Sequence, residues 1–175
     1  MSQAQDGSIA DNLRDFHDST IVGAIMKHET ENAGYEDRIR ASFAKQGLMA
    51  TLGAALIKVA PGLVEIAIHP APAISQQHGF VHGGAVSAIA DSAAGYAALS
   101  LMPPDRGVLT TEFKINLVAP AAGDRIIARG RVIKAGRTLT LAQTEVFAES
   151  GGQEKLIALL TATMMAVEGR DGVSD

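Results

Sequence analysis

The chain has 175 residues, 47% of them hydrophobic and 19% charged, with a formal net charge of -4 and no cysteine. That length fits one domain with a sizeable core, and the acidic balance argues against a nucleic-acid module, which needs a basic face. The missing cysteines exclude thiol catalysis, disulfides and thiolate metal sites together.

Aromatic residues make up only 4% and there is no Trp, so a core must rest on Ala, Val, Ile and Leu at close backbone spacing. Residues 1–34 read as an N-terminal extension, with a short helix around Ser19 to Glu31 as their one local pattern. The opening MSQAQDGSIADN is polar and acidic rather than basic and then apolar, so the expected location is the cytoplasm. Residues 35–170 read as the folded domain and 171–175 as a tail.

From Tyr35 the chain takes on helical spacing: Tyr35, Ile39 and Phe43 recur every four residues, and Gly47 reads as the stop. Past Leu48, TLGAALIKVA and LVEIAIH flank Pro61-Gly62 and predict a β-hairpin. A long helix of small residues is expected from Gly83, halted by Pro103 and Pro104. Four strands should follow, over Val108–Val118, Asp124–Lys134, Thr138–Phe147 and Lys155–Val167, separated by short turn-type sequences. In the first, Phe113, Ile115 and Leu117 should face one way and Thr110, Glu112, Lys114 and Asn116 the other. An antiparallel sheet of six strands must bury one face, and the helix from Gly83 is the only element apolar enough to fill it. The expected fold class is α+β, a curved sheet wrapped around one central helix.

Within that helix, Asp91 is the only charged residue between His82 and Asp105. An ionised carboxylate taken from water costs several kcal/mol unless compensated, so it should be held by hydrogen bonds from Gln76, Ser92 or Thr110. Residues 83–102 approach the ~20 apolar residues that span a bilayer, but Asp91, Ser87, Ser92 and Ser100 favour a buried soluble helix, so no membrane partner is expected. The bland reading of Asp91 is a satisfied polar group fixing a helix contact. His78 and His82, four apart, do not make a metal site, because Gly79, Gly83 and Gly84 turn the segment into a loop and no Glu stands where HExxH needs it. His82 more simply fixes that loop by hydrogen bonding, with contact to substrate as the sharper alternative. Neither a GxGxxG nor a GxSxG pattern is present.

Three blocks, QQHGFVHGGAVSAIADSAAG, TTEFKINLVAPAAGD and GRTLTLAQTEV, stand in order within Leu48 to Val167. Together they resemble the hotdog-fold acyl-CoA thioesterases of the phenylacetate-degradation type. The resemblance implies that Asp91 is general base or nucleophile and that the Gly83 backbone N–H polarises the thioester carbonyl, with Gly84 beside it. It puts Gln76 near that carbonyl, where an Asn or Gln is usual, and the Thr110 hydroxyl near the attacking water. It also implies an acyl-CoA substrate, with coenzyme A part of the substrate and no separate cofactor, and dimers that commonly pair into tetramers. Coenzyme A phosphates would need a local positive patch, for which Lys134, Arg137 and Arg131, beside Arg129, are the candidates, together with Asn116 and Gly84 for substrate binding. The bland reading of those cations is ordinary solvated hairpin charge.

The chemistry of a helix start fits these roles, because its N–H groups are unsatisfied and glycines let a carbonyl approach closely. Seven residues separate Gly84 from Asp91, about 10 Å along a helix axis, so one chain cannot easily bring both to one carbonyl. A homodimer sharing the site is therefore expected. The alternatives are a non-catalytic acyl-CoA binding or sensing module on the same fold, and a hotdog dehydratase or hydratase, which would need a His paired with an acid and a different loop around it.

Overall fold

The structure, a computed structural model, describes residues 28–30 and 32–168. The helix expected around Ser19 to Glu31 falls almost wholly outside these residues. Helix α1 (Tyr35–Ala44) carries Glu36 and Asp37 in its first turn, where negative charge meets the free N–H ends, and buries Ile39 and Ser42. Gly47 does not serve as its stop. The helix ends because Gln46 turns extended, and Gly47 opens a second short helix, α2 (Gly47–Thr51). The first strand consequently starts later than its hydrophobic run suggests, after Gly53 at φ 62°.

Strands β1 (Ala55–Ala60) and β2 (Leu63–Ile68) form the expected hairpin. Its turn needs glycine: Gly62 sits at φ 72°, and a Cβ there would meet the His28 ring at 2.5 Å. A one-turn 3-10 helix (Pro72–Ile74) then leads toward the central helix α3 (Gly83–Leu99). Strands β3 (Arg106–Leu117), β4 (Arg125–Lys134), β5 (Leu139–Ser150) and β6 (Gln153–Glu168) complete one antiparallel sheet of six strands in the order β1-β2-β4-β5-β6-β3.

Small residues let α3 sit deep in the sheet's concave face. Ala90, Ala93, Ala94, Ala97 and Ala98 are fully buried. A Cβ on Gly130 of β4 would fall 2.3 Å from the Ala93 carbonyl carbon, so only glycine allows this approach. Thr144 of β5 donates to the Ala90 carbonyl at 2.9 Å, a buried bond fixing the helix against rotation. At the far end, Ser100 accepts from the Gly62 N–H at 2.7 Å and donates to the Ala97 carbonyl, which ties the β1–β2 turn to the helix end. Helix α1 covers the other side of α3 through Tyr96, whose hydroxyl receives Gln46 Nε2 at 2.6 Å and lies 3.3 Å from Ser42 Oγ. No helix among the described residues is long and apolar enough to cross a membrane.

Candidate active site

The loop from Ser75 to His82 presents the start of α3. Its ends are pinned by the Ser75–Val81 bridge and by the His82 N–H donating to the Ile74 carbonyl at 2.8 Å. Inside it, Gln76 N–H donates to the Phe80 carbonyl and Gly79 N–H to the Gln76 carbonyl, with Gly79 at φ 84°. His82 is the N-cap: its Nδ1 accepts from the Gly84 N–H at 2.8 Å. That bond divides the two glycines. Gly84 spends its donor on the cap, whereas the Gly83 N–H, first in the helix, has no hydrogen-bond partner among the described residues.

Gly83 and Gln76 line the same cavity, of about 340 Å³, with Phe80, Val86, Leu117 and Ile157. Gln76 Oε1 accepts from the His78 N–H, which leaves Nε2 as the donor of a side chain that lines the same cavity as Gly83. The helix start therefore offers an N–H, a partial positive charge and an amide donor at the edge of an apolar pocket. An oxyanion placed there would be stabilised more strongly than in water.

Asp91 lies two turns further along α3, half-buried. Its Oδ1 accepts from Thr110 Oγ1 at 2.9 Å. Burial pushes the carboxyl above the ordinary aspartate range, and the Thr110 bond, which favours the ionised form, offsets part of that rise. Of the other two groups expected to hold it, Ser92 donates to Gln46 Oε1 at 3.4 Å, and Gln76 belongs to the loop.

Thr110 reaches Asp91 because β3 contains a bulge. Opposite β6, Thr110 pairs with Met164 and Glu112 with Thr163, so Thr111 is the extra residue. The bulge reverses the alternation. Thr110 thus shares the helix-facing side with Phe113, Ile115 and Leu117, which pair with buried Ala162, Leu160 and Ala158. The simple two-residue period had put Thr110 on the opposite side from them. Glu112, Lys114 and Asn116 face outward, so Asn116 is not brought to the Gly83 cavity within this chain.

Nor are the candidate cations. Arg131 pairs with Gln143 and Glu145, and Arg129 with Glu154 and Glu65, all on the outer face of the sheet. Lys134 pairs in register with exposed Leu141. Arg137 lines a separate cavity of about 260 Å³ with Arg106, Met102 and Thr140 near the C-terminal end of α3. Among the described residues no three His, Asp or Glu side chains cluster as metal ligands. Phe80, Leu117 and Ile157 were missed as site residues by sequence reasoning. Phe80 stands inside the HGFVHGG run and could have been found from its place in that loop, whereas Ile157 carries no local signal.

Residues 78–155 match the family model of the thioesterase superfamily. A thioesterase family protein from Silicibacter pomeroyi, of known crystal structure, is 50% identical, with 78% of this chain and all of that one covered, and a TM-score of 0.76. The E. coli PaaI protein from the phenylacetic acid degradation operon shares the fold at 21% identity, covering 77% of this chain and 94% of its own, with a TM-score of 0.70. A 1,4-dihydroxy-2-naphthoyl-CoA hydrolase of Listeria monocytogenes is 24% identical over 124 residues, 71% of this chain and 98% of that one. Half of the aligned residues shared along the whole of a thioesterase family chain, on the same sheet and central helix, place this protein in the thioesterase superfamily, with the hotdog fold.

Proposed function

We propose that this protein hydrolyses acyl-CoA thioesters at a site assembled from two copies of the chain. Asp91 of one copy activates water, and the Gly83 N–H of the other polarises the thioester carbonyl. The observation that carries this reading is the Gly83 N–H on an apolar cavity, unpaired among the described residues, with the only carboxylate of the same helix about 12 Å away at 1.5 Å per residue. A carbonyl held by that N–H is out of reach of its own chain's Asp91. A two-fold mate with its helix running alongside would supply the missing half.

In this scheme Asp91 takes a proton from water as the oxygen attacks the carbonyl carbon. Negative charge then gathers on the carbonyl oxygen, where Gly83 N–H and Gln76 Nε2 meet it. Collapse breaks the carbon–sulfur bond and releases a thiolate, which needs little acid help because free thiols ionise near pKa ~8.5. The acyl-CoA class is supported by the naphthoyl-CoA hydrolase relative and by the superfamily itself.

The test is thiol release from acyl-CoAs by wild type, Asp91→Ala and Gly83→Pro. Proline suits this place unusually well: Gly83 is the first helical residue, and His82 before it is extended at φ -62° and ψ 137°. The substitution deletes one N–H and leaves the helix, and the added Cβ, 2.8 Å from Leu117 Cδ1, displaces only the end of that flexible side chain. Both variants should lose on the order of 100-fold or more in kcat. Unchanged turnover in either would remove that residue from its role, and tight acyl-CoA binding without turnover by wild type would favour the binding-module reading.

A further inference from the structure

We infer that Met164 is a positioning residue for Asp91: its sulfur gives the Thr110 hydroxyl a second acceptor, so that Thr110 turns and receives a hydrogen bond from Asp91 once Asp91 holds a proton. The inference rests on the hydrolytic reading above, in which Asp91 takes that proton from water. Thr110 Oγ1 lies 2.9 Å from Asp91 Oδ1 and 3.3 Å from Met164 Sδ. A hydroxyl has one proton to give and two lone pairs to offer, so it serves one of these acceptors at a time. Beside the ionised carboxylate it donates to Asp91, the stronger acceptor. Beside the protonated carboxyl, the Asp91 O–H donates to Thr110 Oγ1, provided the Thr110 proton has another partner. Met164 Sδ is that partner. One O–H bond of water breaks and one O–H bond on Asp91 forms, while Thr110 keeps its own proton and only rotates.

The fold holds the three groups in this relation. Thr110 and Met164 are register partners, and the next pair, Glu112 with Thr163, leaves Thr111 as the bulge. Thr111 Oγ1 donates to the Thr163 carbonyl at 2.9 Å, which closes the bulge against the residue beside Met164. Met164 has no exposed surface, so bulk water does not reach its sulfur. Among the described residues no charged side chain competes for Asp91, which is the only charged residue of α3. The residues that β2, β4, β5 and β6 bury against α3 are uncharged. Glu112 points to the other face of β3, where Thr163 donates to it. Arg106, on the helix-facing side, stands four residues from Thr110, ~13 Å along the strand, and pairs with Glu168. Arg137 joins Arg106 at the cavity near the C-terminal end of α3, and Arg38 of α1 is committed to the Pro103 and Arg106 carbonyls.

The experiment is the acid limb of the kcat/KM profile, together with the carboxyl carbon-13 titration of Asp91, in wild type, Met164→Leu, Thr110→Val and the double variant. Met164→Leu nearly conserves volume, and protein made with norleucine in place of methionine removes the sulfur while keeping the side-chain shape. Without the sulfur the protonated carboxyl loses an arrangement that favours it, so the Asp91 pKa should fall. The acid limb should then move to lower pH by roughly 0.4 unit, the weak end of a neutral hydrogen bond. Thr110→Val should move the same limb the opposite way. In the Thr110→Val background Met164→Leu should add nothing, because Met164 acts through that hydroxyl, whereas a packing effect would persist there. A titration unmoved by both sulfur removals, moved to higher pH, or shifted equally in the Thr110→Val background overturns the inference and leaves the hydrolytic reading standing. Absence of thiol release, or full turnover by Asp91→Ala, overturns the hydrolytic reading, and the carbon-13 titration still decides whether Met164 acts on Asp91.

Discussion

The Thr110–Asp91 bond is the point where local geometry sets chemistry. Burial raises the Asp91 pKa and the Thr110 hydroxyl holds it down. In the proposed mechanism Asp91 works as a base only when ionised, so activity should fall as pH drops through its folded-state pKa. That fall lies above the ordinary aspartate value of about 3.9. Thr110→Val keeps the shape and removes the donor, so the acid limb of the kcat/KM profile should move to higher pH. The loss relative to wild type should be larger at acidic than at alkaline pH. An acid limb unchanged by Thr110→Val would show that Asp91 is not the group titrating. The partnership was half legible in the sequence. A lone carboxylate in an apolar helix asks for a donor, and Thr110 was a candidate, but strict alternation turned its side chain the wrong way. A bulge of one residue leaves no periodic trace, and only the pairing with Met164 and Thr163 reveals it.

Among the elements, α3 decides the rest, because its start holds the Gly83 N–H and its middle holds Asp91. Its depth in the sheet depends on Gly130, where even a methyl group would strike the backbone of Ala93 and Ala94. Backbone cannot swing aside as a side-chain end can. Gly130→Ala should therefore destabilise the fold by about 3 kcal/mol, the upper part of the overpacking range, measured by chemical denaturation. A change below about 0.5 kcal/mol, typical of an unconstrained surface site, would contradict the close approach. The helix and all six strands could be read from run lengths, small-residue content and turn glycines. Gly47 misled because a glycine after a helical run resembles a C-terminal stop, whereas here the extended Gln46 ends α1 and Gly47 starts the next turn. The outward position of Arg129 and Arg131 was not legible either. Their partners Glu154, Glu65, Gln143 and Glu145 come together only through the sheet order.

At the scale of the molecule, β3 is the unfinished edge. It runs 12 residues, pairs among the described residues only with β6, and exposes Leu109, Phe113 and Leu117, while Leu117 is followed by exposed Val118. A long edge strand with uncovered apolar side chains invites another chain. The opposite edge, β1, is six residues long and interrupted by a bulge between Leu56 and Lys58. A second copy paired along β3 would lie beside Thr110 and the Asp91 bonded to it, where the proposed divided site needs the partner's Gly83. The most direct test is subunit complementation between Asp91→Ala and Gly83→Pro chains, each inactive alone, unfolded together and refolded as a mixture. If every site takes its base from one chain and its N–H from the other, random pairing makes half the dimers hybrids. Each hybrid carries one intact site, and the mixture should recover about a quarter of wild-type turnover. A mixture as inactive as its two components, with hybrids present by mass, would mean that both groups act within a single chain and would contradict the shared site.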